Sequence, residues 1–286
     1  MKTRPMYWSI RREVWENRSI YIVPLIVGGV MLLGFFLSSF TLPARRRAAL
    51  ALDQAHQRLL ISKPYDIAAM MFVFAMVIVA IFYCLDALHG ERRDRSILFW
   101  KSLPVSDRTA VLSKLSIPVV VLPAITLVAT IVTQMLMLLW SSFVLLVGGL
   151  SPVTTFQYFN IVLHSIFLFY GLIVIALWHA PLYAWLLLVS AWAKRATFLW
   201  AIVPFFAIGI LERIAFNTTY FGKFLQYRLG GGFHRAFAFR KDGTIDALSD
   251  LTPGKFLVTP GLWIGLAFAA AFIAGAVRLR RYREPI

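Results

Sequence analysis

The side chains that could do chemistry are few within the apolar stretches of this chain. Five histidines, at positions 56, 89, 164, 179 and 234, are scattered and show no metal-ligand spacing. His164 and His179 lie in an apolar stretch with no acid nearby in the sequence, which favours hydrogen-bonded interior histidines over ligands or proton relays. Asp86 and Glu212 stand near the ends of apolar runs, where an interfacial charge is the simpler interpretation. We expect no metal and no cofactor in this chain.

The glycine clusters do not form a phosphate-binding loop. Gly254-Lys255 is followed by Phe256 where Ser or Thr is needed, and Ser249 stands where the first Gly is needed. The chain therefore has no ATP hydrolysis of its own by that route. Gly230 to Gly232 has no strand-to-helix pattern beside it, so the sequence predicts a flexible turn there rather than a binding loop.

The composition places any such chemistry in a membrane protein. Hydrophobic residues make up 60% of the 286 residues and charged residues only 15%, against roughly 25% charged in soluble domains. The formal charge of +16 could suggest nucleic-acid binding, but the basic residues flank apolar runs, where they set orientation and meet anionic lipid. We expect a lipid bilayer around the chain and no nucleic acid as a partner.

The apolar runs predict an all-α polytopic membrane protein with six transmembrane helices in a single transmembrane domain. From Leu115 to Ala193 there are 79 residues without Asp, Glu, Lys or Arg, which a turn at Gly148 to Pro152 divides in two. Pro181 to Ala193 is too short to cross alone and is interpreted as a proline-kinked continuation. The predicted spans are residues 20–40, 67–88, 116–146, 156–193, 197–214 and 256–277, with polar loops at 45–65, 89–114 and 216–255.

The distribution of basic residues predicts the orientation. In the six-span arrangement 17 of the 29 basic residues fall on the side of the two termini and the 89–114 loop. The other side carries 12, in two longer loops that the rule weights less. Both termini are therefore expected to be cytoplasmic and the 216–255 loop extracytoplasmic, although the cluster Arg45 to Arg47 fits this orientation poorly.

The 89–114 loop has a charged part followed by an apolar part. The charged stretch Glu91 to Arg95 leads into a segment with Ile97, Leu98 and Trp100, which Pro104 ends. A short helix with exposed apolar side chains, flanked by charges, suits docking to a cytosolic partner. The alternative is that residues 96–103 simply lie in the lipid interface, and composition leaves both interpretations open.

The loop and the six-span arrangement together resemble the permease subunit of an ABC type-2 transporter. The matching residues are Glu91, Arg92 and Arg93, then Ser96, then Leu103-Pro104-Val105-Ser106, and Lys114 at the start of the third span. Many members have Gly before the hydroxyl residue and an acid shortly after it, where this chain has Arg95 and Leu98. Residues 1–18 resemble the family's interfacial elbow helix, because Met6, Tyr7, Ile10 and Val14 form an apolar face opposite Arg11, Arg12 and Glu16, and Trp15-Glu16-Asn17-Arg18 precedes the first span.

The resemblance implies a function and a set of partners. Two permease halves, identical or related, would dimerise around an export route lined by the first, second and fifth spans in the cell (inner) membrane. Each half would grip a separate cytosolic ATPase subunit, which holds ATP and Mg²⁺, through a cytoplasmic coupling helix. The resemblance assigns this mechanical, non-catalytic role to Glu91, Arg92, Arg93, Asp94, Ser96, Trp100, Lys101, Leu103 and Pro104.

Two other classes of function stay open at this point. A membrane-embedded lipid-modifying enzyme could place its chemistry in the 216–255 loop, on His234, Asp242, Asp246 and Asp250, although their spacing is irregular. A secondary carrier would normally show repeat symmetry and charged or broken midplane segments. The sequence shows neither convincingly, although several of its prolines permit broken helices.

Overall fold

A computed structural model describes residues 5–102, 105–239 and 247–282, with only the backbone described for Ala55, Trp100, Lys101 and Ser102. Helices dominate the described chain, and a single β-bridge joins Phe237 to Leu251. In chain order the helices are α1 (Pro5–Glu16), α2 (Ser19–Ser39), α3 (Leu42–Leu50), α4 (Gln54–Ala87), α5 (His89–Arg93), α6 (Ser96–Ser102), α7 (Asp107–Ser116), α8 (Leu122–Val147), α9 (Val153–Tyr158), α10 (Ile161–Trp178), α11 (Ala180–Trp192), α12 (Thr197–Phe216), α13 (Tyr220–Ala236), α14 (Pro253–Val258) and α15 (Pro260–Tyr282).

Six helical segments of the described chain are long and apolar enough to cross a membrane, which confirms the predicted number. They are Ser19–Ser39, His56–Arg93, Asp107–Val147, Val153–Trp178, Thr197–Phe216 and Pro260–Tyr282. Large apolar side chains such as Leu25, Leu139 and Phe206 are exposed on them, as hydrocarbon surroundings permit. The protein is therefore all-α and membrane-embedded.

The polar loop predicted for residues 45–65 is largely helical, so that prediction was wrong. Helix α3 covers Leu42–Leu50, and α4 begins at Gln54, well before the expected start of the second span at Ile67. Polar residues do not end a helix when they are good helix formers, as Gln, Arg and Lys are. The helix also continues past Pro64, because Tyr65 immediately after it is buried by tertiary packing.

The predicted turn at Gly148 to Pro152 is present, whereas the predicted proline-kinked span 156–193 is divided into two helices. Helix α8 ends at Val147, and Gly149 turns the chain with φ +70°, a conformation that glycine adopts without steric cost. Helix α10 ends at Trp178 and α11 begins at Ala180, so the break falls at His179, two residues before Pro181. At the start of the third span α7 joins α8 through a π-helical turn, Ile117–Val121, where Pro118 and Pro123 lack backbone N–H donors.

The chain forms two compact units. One comprises residues 19–79 and 123–172, and its core is an aromatic cluster around Tyr65. The Tyr65 ring stacks on Phe159 with centroids 4.3 Å apart, and the Tyr65 hydroxyl bonds Ser141 Oγ at 3.0 Å. Gly28 allows close packing, because a Cβ there would lie 3.3 Å from Thr133 Oγ1.

The other unit comprises residues up to Arg18, residues 80–122 and residues from Ile173 onward. Helix α11 is buried along most of its length, and Leu188 contacts α15 at Gly275. Just before α11, the indole of Trp178, the last residue of α10, donates to the Arg228 carbonyl of α13 at 2.7 Å. Through these contacts α11 packs against α15, and the end of α10 packs against α13, within one unit.

The predicted flexible turn at Gly230 to Gly232 was wrong, because all three residues belong to α13. The tertiary contact explains their presence in a helix. A Cβ at Gly232 would lie 2.7 Å from the buried Trp178 ring, so only glycine lets the helix approach that ring. The expected 216–255 loop accordingly holds a 17-residue helix as well as α14.

Candidate functional site

A buried cluster of charged side chains lies in the unit that holds the chain's first and last described helices. Its centre is Glu13 on α1, whose side chain is 1% exposed. Lys114 Nζ on α7 donates to Glu13 Oε1 at 2.9 Å, and the Tyr83 hydroxyl at the end of α4 donates to Oε2 at 2.8 Å. Arg12 donates to the same carboxylate. Helices distant in sequence are thus connected through one carboxylate.

Glu91 on α5 is the second carboxylate of this cluster. Lys114 Nζ and Arg12 Nη2 each lie 3.1 Å from Glu91 Oε1. Arg280 Nη2, near the end of α15, lies 3.2 Å from Glu91 Oε2, and Arg280 Nη1 pairs with Asp107 at the start of α7. The cluster therefore joins α1, α5, α7 and α15 and brings the 89–114 segment together with both ends of the described chain.

Ion pairs hold this cluster together. Arg12, Lys114 and Arg280 face Glu13, Glu91 and Asp107, and Arg12 also pairs with the half-exposed Glu16 at 3.5 Å. Burial alone raises the pKa of Glu13, but the charges of Lys114 and Arg12 and the hydrogen bonds from Lys114 and Tyr83 outweigh it and hold that pKa below its usual value. Loss of one partner from a buried ion pair typically lowers the free energy of unfolding by about 3–5 kcal/mol, because the other charge stays buried without a partner.

Helix α5 is also tied to the end of α11. Arg92, which is buried, donates from Nη1 to the carbonyls of Ala191 at 2.8 Å and Ala193 at 3.3 Å. The hydroxyl of Ser190 accepts the backbone N–H of His89 at 2.9 Å and that of Leu88 at 3.0 Å. These bonds satisfy backbone groups at the α4–α5 junction and hold α5 rigidly against α11.

Helix α6 follows this fixed helix and presents apolar side chains outward. Ile97 is buried, whereas Leu98 is 58% and Phe99 60% exposed. The turn before α6 is formed by Arg95, which has φ +57°, in the left-handed region that favours glycine. Helix α6 is thus held to the rest of its unit by the buried Ile97 and by α5, and its exposed face carries the apolar side chains Leu98 and Phe99.

The structure divides the sequence-based site residues into groups. Glu91 and Arg92 are buried and make internal contacts, whereas Arg93 and Asp94 are exposed and pair with each other at 3.0 Å. Ser96 donates to the Glu91 carbonyl at 3.4 Å, which links α5 to α6. Trp100 and Lys101 belong to α6 by their backbone, and Leu103 and Pro104 lie outside the described residues.

Sequence reasoning missed the centre of the cluster. The helical pattern put Arg12 on a polar face and Tyr7 on an apolar one, but Tyr7 is exposed and the buried residue of α1 is Glu13. Met6, Ile10 and Val14 of the predicted apolar face are partly buried, whereas Arg11 and Glu16 of the polar face are exposed, so the amphipathic interpretation stays a prediction that did not include Glu13. The sequence signal for the cluster is the presence of charges at span ends, Lys114 before the third span and Arg280 after the sixth, which need acidic partners when they are buried.

The histidines considered for chemistry make hydrogen bonds or ion pairs within the protein. No group of three potential metal ligands was found in the described chain. His179 bonds the carbonyls of Ile175 and Leu229, as expected of an interior histidine. His164 has no acid nearby in the sequence, but its Nε2 lies 3.7 Å from Oδ1 of the distant Asp66, and its Nδ1 lies 2.9 Å from the Asn160 carbonyl.

The residues considered for a loop-borne enzyme do not converge where they are described. Asp250 accepts the backbone N–H of Ala247 and so stabilises a local turn, and His234 packs edge-on to Phe239. Asp242 and Asp246 lie outside the described residues.

Comparisons with family models, with curated proteins and with solved structures found no match to this chain.

Proposed function

We propose that this chain is the membrane-spanning permease subunit of an ATP-driven exporter of the ABC type-2 kind. The observation that carries the proposal is the pairing of an outward-facing helix with a buried ion cluster. Helix α6 exposes Leu98 and Phe99, and the α5 helix that precedes it is fixed to α1, α7, α11 and α15. A separate cytosolic ATPase subunit, holding ATP and Mg²⁺, docks on α6.

In this proposal the ion cluster transmits force. A push on α6 reaches Glu91 through Ile97, Ser96 and the short α5, and Glu91 is bonded to three cations on three helices. Because separating a buried charge from its partners leaves it unpaired in a low-dielectric interior, those helices move with α5 instead of sliding past it. Glu91 and Arg92 thus act as positioning residues within the chain, and the exposed face of α6 contacts the partner.

The backbone of Arg95 supports the resemblance from which the proposal started. The family often has glycine before the hydroxyl residue, and Arg95 occupies that position in this chain. Its φ of +57° is the conformation in which a glycine carries no Cβ penalty. The local geometry therefore gives a physical reason for the family's glycine.

The elements around the cluster define the proposed orientation. The N-terminal helix α1, the α5–α7 segment and the end of α15 contact one another through Glu13, Glu91 and Arg280. Elements in contact at one end of a unit belong to one side of the membrane, and this side carries most of the basic residues. We assign it to the cytoplasm of the inner membrane, with α1 as the interfacial elbow helix and a second permease half completing the export route.

The experiment is purification of the tagged chain from its native membrane in mild detergent, with identification of stoichiometric partners. We expect a cytosolic Walker-type ATPase with the unaltered chain and loss of at least nine-tenths of it with Leu98→Asp, because a charge replaces an apolar contact at the centre of the interface. Leu248→Asp is the matched control, since Leu248 is similarly exposed but lies in the 216–255 segment. A chain that purifies without an ATPase, or equal ATPase recovery with Leu98→Asp, contradicts the proposal.

A further inference from the structure

The unit comprising residues 19–79 and 123–172 contains a cavity of about 820 Å³. This volume falls within the range of small-molecule sites, roughly 300–1,000 Å³. Its walls come from α2, α3, the first half of α4 and α8, and most of the lining side chains are apolar, among them Met31, Phe35, Leu42, Ile61 and Met137. Val30, Leu52 and Leu60 line it and are also exposed, so the cavity is reached from outside the unit.

The charged residues that line the cavity are all cations. They are Arg45, Arg46 and Lys63, and the lining includes no Asp or Glu. The two acids of the adjoining segment are engaged elsewhere, since Asp53 pairs with His56 and Asp66 accepts from Ser62. None of these three cations forms an ion pair with a described residue, so the apolar cavity that they edge is complementary to an apolar ligand with a negative head.

Arg46 is the decisive member of this set, because it is only 5% exposed. Its guanidinium donates to Thr155 Oγ1 at 2.9 Å and to Thr154 Oγ1 at 3.5 Å. Within the described part of the chain no carboxylate lies within 4 Å of it, and burial lowers its pKa. Neutral hydroxyls leave its charge unbalanced, and buried cations in proteins are normally paired.

We propose that this cavity binds an anionic single-chain amphiphile, with the acyl chain between α2, α4 and α8 and the phosphate or carboxylate head at Arg46. Arg45 and Lys63 supply the outer cationic contacts. Tyr65 and Ser141 line the cavity and satisfy each other, the tyrosine donating to the serine, which donates to the Leu138 carbonyl at 3.0 Å. This site does not depend on the proposed coupling to an ATPase, and its test uses the purified chain alone.

The test measures equilibrium binding to the full-length chain in maltoside detergent, using lysophosphatidic acid and lysophosphatidylcholine with the same acyl chain. We expect lysophosphatidic acid to bind at least tenfold more tightly, because its head is anionic without a compensating choline. Inorganic phosphate at the same concentration should not displace it, since phosphate lacks the chain. Equal affinity for the two lipids, or displacement by phosphate alone, overturns the assignment.

Variants separate the head contact from the chain contact. Arg46→Gln should weaken lysophosphatidic acid binding at least tenfold, and Arg46→Lys, which keeps the charge, should stay within about threefold. Gly34 lines the cavity, and a Cβ there meets nothing within 4 Å. Gly34→Leu should therefore fill the space and lower the affinity for both lipids tenfold. Gly29→Leu is its control on the same helix, where the new side chain also meets open space but outside the lining.

The Gly34 pair keeps the test decisive if Arg46→Gln fails to fold. Monodisperse elution of each variant in size-exclusion chromatography establishes folding. Unchanged binding by folded Gly34→Leu overturns the site, as does unchanged binding by folded Arg46→Gln.

Discussion

Replacing Glu13 by Gln tests whether the buried ion cluster stabilises the unit that carries α6. The amide keeps the shape and can still accept from Tyr83, but it removes the carboxylate charge that pairs with Lys114 and Arg12. The buried Lys114 then keeps Glu91 as its ion-pair partner and loses the shorter pair with Glu13. We expect a loss of about 3 kcal/mol, at the low end of the range for breaking a buried ion pair. By the scaling for large soluble domains this lowers Tm by about 6–12 °C.

The assay uses the single cysteine of the chain. Cys84 is fully buried beside Tyr83, so a thiol-reactive fluorophore reports unfolding of this unit in detergent during heating. Glu16→Gln is the matched control, because Glu16 lies on the same helix and pairs with Arg12 at 3.5 Å, but its side chain is half exposed. Such a pair contributes less than about 1 kcal/mol, so Tm should fall by no more than about 4 °C.

A double variant completes this test. Lys114→Gln combined with Glu13→Gln removes both members of the pair and leaves neither charge without its partner, so the combined loss should be smaller than the sum of the single losses by about 1.5 kcal/mol or more. The reasoning is refuted if Glu13→Gln melts within the range of Glu16→Gln. Strict additivity of the double variant would likewise show that the two charges do not stabilise each other.

Three further outcomes follow from the local geometry. Because the folded protein lowers the pKa of Glu13, the ionised carboxylate stabilises the fold above about pH 4.5, and this stabilisation is lost as pH falls through the pKa in the folded state. Tm should therefore drop more steeply below pH 4.5 in the unaltered chain than in Glu13→Gln. Parallel curves of Tm against pH would contradict this. Arg95→Gly should raise stability by about 1 kcal/mol by relieving the left-handed backbone, and a lower Tm would argue against that strain. Gly232→Ala should cost about 1–3 kcal/mol by contact with Trp178, whereas Gly230→Ala, which meets nothing within 4 Å, should gain up to about 1 kcal/mol in the same melting assay; equal effects would rule out the packing explanation.

The spans could be predicted from the sequence because hydrocarbon imposes a local rule. An uncharged run long enough to cross must be helical, whatever it packs against, and the six spans followed from this rule. The turn at Gly148 to Pro152 was equally local, because glycine and proline interrupt helical pairing through their own backbones. The polar segments obey no such rule, which is why residues 54–66 were misjudged as part of a loop.

The site depended on non-local contacts that the sequence does not display. Glu13 and Lys114 lie 101 positions apart, and Glu91 and Arg280 lie 189 apart. Periodicity gave no place to Glu13 on α1, because only the complementary charges on α5 and α7 explain its burial. The glycines of α13 were misjudged for the same reason, because only the position of Trp178 explains their place in a helix.

The buried position of Glu91 also changes how coupling should be tested. Glu91→Lys would add a fourth cation to a site that already holds Arg12, Lys114 and Arg280, so we expect a folding defect in that variant. The exposed face of α6 is the surface on which docking can be altered without disturbing the cluster.

The most direct measurement is photo-cross-linking from position 98 in native membranes. With a photo-cross-linking amino acid in place of Leu98, irradiation and mass spectrometry identify whatever lies against the exposed face of α6. The proposed function predicts one dominant adduct with a cytosolic Walker-type ATPase, and no such adduct from the same replacement at Leu248. Adducts with lipid alone at position 98 would contradict it, because they would mean that α6 lies in the membrane interface and docks no ATPase.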